Sequence, residues 1–151
     1  VVFEAFPGAA KGYCSYVEQR IVIQPGMSQV QTIKTLVHEV AHAKLHSPLD
    51  ILEETRPDRS TREVEAESVA YVVCQHFGID TADYSFAYVA DWSRGKDLEV
   101  LKASIGHIHT VAAELIAGIE GPEKELQKAP SHRQRKAGRT ARHRRQDAPA
   151  R

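Results

Sequence analysis

The sequence predicts an α+β domain in which a short β-hairpin precedes a series of amphipathic helices. Three observations predict it. Two alternating apolar stretches lie near the start, longer stretches of helical period follow residue 28, and turn residues separate them. The 151 residues amount to one domain, long enough to bury a core.

Taken in order, residues 13–17 and 20–24 read as two strands around a Glu18-Gln19 turn. Pro25-Gly26 ends the second strand. Ser28 with Gln31 three residues on has the spacing of a capping box, and an apolar helical period starts directly after it. At about 100° per residue, Leu36, Val40, Ile33, Val37, Val30 and Ala41 share one arc. His38, His42, His46, Glu39, Gln31 and Thr35 fall opposite, so this helix separates a core face from a polar face.

Residues 47–59, with Pro48 and Pro57, read as a loop that flanks a cleft. Ser60 and Glu63 repeat the capping-box spacing, which places a second helix over about 61–77 with Gly78 as its C′ residue. Its apolar arc holds Val72, Val69, Val73, Ala66, Phe77 and Ala70. Glu65 lies inside that arc, Glu67 points away, and Glu63 sits at its edge. Residues 80–92 carry Tyr84, Phe86, Tyr88 and Trp92 and suggest a short helix from near Ser85, its aromatics used in core packing. Asp97 caps a last helix to about Ile119, with an apolar stripe from Leu98 through Ile105 and Ile108 to Ile116.

The first helix carries the chemistry. In His38-Glu39-Val40-Ala41-His42 the histidines are four residues apart, so both imidazoles can meet one ion from one helix face. Glu39 sits beside them, placed to take a proton from a water activated by that ion. Neutral imidazoles suit Zn²⁺, which in a hydrolytic site needs a third protein ligand and an open fourth position. A histidine six residues after His42 would supply it in one class of such enzymes, the metzincins, but position 48 is Pro48 and excludes that class. The second helix offers Glu63, Glu65 and Glu67. A carboxylate on a buried face must be paired or metal-bound, so Glu65 is the expected third ligand. Glu63 then caps its own helix and Glu67 is a solvated charge. His46 extends the histidine stripe as a cap or supporting group, and His76, on the face of Glu65, is either a boundary histidine or one that orients a ligand or the substrate. His107 and His109, about 200° apart on one helix, cannot share an ion.

The order of these blocks, with the Glu65-Ala66 pair 23 positions after His42, resembles the gluzincins. The segments IKTLVHEVAHAKLH and REVEAESVAYVVCQHFGIDTADYSFAYVADW are similar to ImmA/IrrE-like metallopeptidases. The likeness over about residues 12–126 is strongest to the C-terminal metallopeptidase domain of ArdC-type antirestriction proteins of bacterial mobile elements. The resemblance implies a minimal zincin fold and a bacterial cytoplasmic peptidase. Its zinc ligands map to His38, His42 and Glu65, and its general base to Glu39. It also implies a single-stranded-DNA-binding domain upstream, which this chain lacks, so the chain reads as a fragment.

Charge divides the chain at about residue 128. The preceding part has 11 basic and 19 acidic residues; from Lys128 onward there are nine basic and one acidic. Residues 1–127 form the expected domain, and 128–151 a disordered basic tail able to contact nucleic acid non-specifically through phosphates. No apolar run approaches the ~18 residues that cross a bilayer, and no signal-peptide pattern opens the chain. Cys14 and Cys74 read as small hydrophobes, not a disulfide. The expected substrate is a protein or peptide. Tyr84 and Tyr88 are weak candidates to stabilise an oxyanion. The alternative is a catalytically idle, zinc-stabilised module that engages DNA or host defence proteins.

Overall fold

A computed structural model describes residues 1–49, 53–81 and 86–128. The residues before 120 form one unit (Val1–Ile119), and Glu120–Arg151 form a second. Three strands, β1 (Val2–Phe3), β2 (Gly12–Ser15) and β3 (Arg20–Ile23), form a sheet of order β1-β3-β2. The expected hairpin is the antiparallel β2–β3 pair, with Tyr13 opposite Val22 and Cys14 opposite Ile21. Gln19 in its turn takes a positive φ of 49°. Parallel β1 is an addition: two residues are too short to show a period of two, and pairing with β3 alone makes them a strand.

Helix α1 (Gln29–Leu45) starts where expected, and the Ser28 hydroxyl accepts the Gln31 N–H at 3.2 Å. Only that half of the capping box forms. The Gln31 side chain bonds Lys11 and Thr35 instead. Thr35, Glu39 and His46, assigned to a polar face, are buried, whereas Val30 and Ile33 are exposed. The reason is tertiary: α1 lies between β2 and β3 on one side and the second long helix on the other.

That helix, α2 (Arg59–His76), follows a short 3-10 turn at Glu53–Thr55 and starts two residues before the expected point. The Ser60–Glu63 capping box does not form. Asp58 caps α2, its carboxylate accepting the Thr61 N–H at 2.8 Å and the Ser60 hydroxyl at 2.6 Å. Gly78 takes the left-handed conformation (φ +69°) expected of a C′ residue. Helix α3 (Phe86–Ser93) is pinned to the start of α2 by the Trp92 indole N–H, which donates to the Thr61 hydroxyl. Helix α4 (Leu98–Lys128) runs beyond the expected end at Ile119. The core is made where Val37 and Ala41 of α1, Ala66, Val69, Ala70 and Val73 of α2, and Val111 and Ala112 of α4 meet. Both cysteines are free. No helix among the described residues is long and apolar enough to cross a membrane. Most of the basic tail lies outside the described residues.

Candidate metal centre

Helices α1 and α2 face each other with matched four-residue spacings: His38 and His42 on one, Glu63 and Glu67 on the other. The His38 and His42 Nε2 atoms are 3.1 Å apart, and Glu63 Oε2 lies 3.5 Å from the first and 3.7 Å from the second. Donors held by a tetrahedral zinc at 2.0–2.1 Å lie about 3.3 Å from one another. The three atoms therefore have the separations of one face of such a tetrahedron, and two imidazoles with one carboxylate are a donor set that zinc accepts. His38, His42 and Glu63 form the candidate metal group among the described residues.

The two histidines meet as expected; Glu65 does not join them. Its buried carboxylate turns to His46 (Nε2–Oε2 2.8 Å) and to His107 of α4 (Nδ1–Oε1 3.1 Å). Its burial agrees with the helical wheel, and hydrogen bonds with His46, Ser104 and His107 satisfy the carboxylate. Glu63 is not a cap, because Asp58 holds that position. Glu67 is not a solvated charge either: it lies 3.3 Å from His38 Nδ1 and 2.7 Å from the Lys34 ammonium. A carboxylate on the far ring nitrogen of a ligand histidine orients the ring and raises its basicity. The four-residue spacing of Glu63 and Glu67 was the sequence signal for both roles. Among the other histidines, His42 Nδ1 lies 2.9 Å from His46 Nδ1, and the Tyr16 hydroxyl donates to the His42 carbonyl.

Each charge has an identifiable cause. Burial disfavours the His38 imidazolium, but hydrogen bonds to Glu63 and Glu67 and the nearby Glu39 charge outweigh it, raising its pKa to about 9. Hydrogen bonds from His38 and His42 hold the Glu63 carboxyl far below its ordinary range. Burial raises the Glu39 pKa, against the pull of both histidines. Burial also lowers that of His46, with Glu65 in partial opposition. Glu39 is 7% exposed and lines a cleft of about 610 Å³ together with the histidines, Glu63 and edge strand β2. Arg56, Arg59 and Arg62 line the same cleft. Tyr84 lies outside the described residues, as does the side chain of Tyr88.

The model of the IrrE N-terminal-like domain, Peptidase_M78, matches residues 1–88, which include the sheet, both histidines and all three glutamates of α2. The chain belongs to the IrrE N-terminal-like family. It is also 36% identical over 110 residues to an uncharacterized Bacillus anthracis protein, pXO2-81. That similarity covers 72% of this chain but only 18% of the relative, so the chain spans less than a fifth of that protein's length. No solved structure matches. In this IrrE N-terminal-like domain, the stretch that matches the family contains all three residues of the candidate metal group.

Proposed function

We propose that the domain is a zinc-dependent peptidase that uses His38, His42 and Glu63 as ligands and Glu39 as general base. The observation that carries this reading is the close approach of three suitable donor atoms beside a buried glutamate, in a cleft bordered by a strand edge. Held there, zinc would supply Lewis acidity and lower the pKa of water at its open position. Glu39 takes the proton of the attacking water and returns it to the leaving amine. Burial favours this role by raising its proton affinity, and the Cys14 backbone hydrogen bond holds the carboxylate in place. In the order β1-β3-β2, one side of β2 has no strand partner among the described residues, which suits an extended peptide added by β-augmentation.

The likeness to ArdC-type proteins supports a setting in a mobile-element antirestriction or regulatory protein of the bacterial cytoplasm. The catalytically idle module remains the alternative class, and an intact Glu39 speaks against it, because a binding module needs no general base. Zinc content by elemental mass spectrometry and cleavage of captured proteins test the reading together. It predicts about one zinc per chain in both wild type and Glu39→Gln, with turnover lost in the variant. Turnover by Glu39→Gln at the wild-type rate would overturn the mechanism. Zinc retention without cleavage of any captured protein would favour the idle module.

A further inference from the structure

A second group of polar side chains lies behind the metal group, away from the cleft. His46 caps the C-terminal end of α1 and is fully buried, and Glu65 of α2 is 1% exposed. Elements on every side hold them. The His46 N–H donates to the His42 carbonyl, Arg56 Nη2 donates to the His46 carbonyl, and Glu65 receives His46, Ser104 and His107. A buried carboxylate paired to a buried histidine is not how a core is made most stable, since apolar side chains of similar volume serve as well or better. Its geometry points instead to His42.

An ionised carboxylate only accepts hydrogen bonds, so His46 Nε2 is the donor in the 2.8 Å contact. A neutral imidazole has one N–H, which leaves His46 Nδ1 as the acceptor in the 2.9 Å contact with His42 Nδ1. His42 then carries a proton on Nδ1, so a metal that displaces any proton from Nε2 finds that lone pair aimed at it beside His38 and Glu63. We propose that Glu65 and His46 are positioning residues that fix the tautomer and ring orientation of His42 for metal binding. This rests on the metal-centre reading above. His38 has its orienting carboxylate directly, in Glu67; His42 has one at second hand, through His46. The carboxylate that looked like a ligand acts two bonds behind one.

Two measurements on the full 151-residue chain test it. In the zinc-loaded wild type, long-range ¹H–¹⁵N correlation of the imidazoles should show His46 protonated on Nε2 alone. A His46 protonated on Nδ1, or on both nitrogens, overturns the proposal. Zinc affinity is then measured by competition with a chromophoric chelator, on variants shown to be folded by circular dichroism. His46→Phe, which cannot accept from His42, should weaken zinc binding about 10- to 100-fold. His46→Asn places an oxygen near the Nδ1 position and should recover much of that loss. A folded His46→Phe with unchanged affinity, or an Asn variant no better than Phe, overturns it. Wild type that binds zinc while the variants bind equally well sinks only the positioning role. Wild type that retains no zinc sinks the metal centre as well.

Discussion

Glu63 and Glu65 are two residues apart on α2, yet one faces the cleft and the other the core. At about 200° of separation around a helix, one points to the histidine pair of α1 and the other to His46 and α4. Glu63→Ala should therefore abolish zinc retention in a folded chain, measured as metal per chain after mild chelation. Glu67→Gln should weaken binding about 10- to 100-fold, because it touches His38 rather than the metal. His38 also makes the metal-free chain pH-sensitive. Its folded pKa of about 9 exceeds the ordinary value of 6.5, so its stabilising effect is complete below pH 6.5 and is lost as pH rises through 9. Thermal melts of chelator-treated protein should fall over that window, by on the order of 3 kcal/mol at most. Zinc binding should strengthen over the same range, because metal and proton compete for the same nitrogen.

At the scale of elements, the close approach of β2 to α1 depends on Gly12. A Cβ at Gly12 would lie 2.8 Å from Thr35 Cγ2, 3.1 Å from Glu39 Cγ and 3.1 Å from Ile23 Cδ1. All three neighbours are buried, so none moves away freely. Gly12→Ala should cost about 1–3 kcal/mol in denaturant unfolding and disturb Glu39 as well. The sequence offered no warning of this, since a glycine at the start of a strand looks like an ordinary boundary. The start of α2 was misread for a related reason. Ser60 and Asp58 are both good N-caps, and Asp58 wins because it accepts from Thr61 and Ser60 while also meeting Lys96 at 2.9 Å. Asp58→Ala should destabilise the chain by about 0.5–2 kcal/mol, whereas Ser60→Ala should have a smaller effect.

At the scale of the whole molecule, the first unit, Val1–Ile119, contains the sheet, the core and every candidate metal ligand. Removal of residues 128–151 should leave zinc content and cooperative unfolding unchanged. The nucleic-acid contact expected from the sequence would run through those residues, so the same truncation should abolish any retention on single-stranded DNA and its salt dependence. Unchanged retention would locate any such contact elsewhere.

Local sequence determined the β2–β3 hairpin, the helices and half of the site. The period of four that makes α1 a helix also brings His38 and His42 together, and a hairpin turn sets the β2–β3 pair. Such features depend on neighbours in the chain, so they can be read from it. Only tertiary structure decided which glutamate meets the histidines, that the polar face of α1 is buried, and that His46 joins Glu65 to His42. Those outcomes depend on how α1, α2 and α4 are rotated and spaced against one another. A helical wheel gives the direction of each side chain from its own axis, not the identity of what waits there.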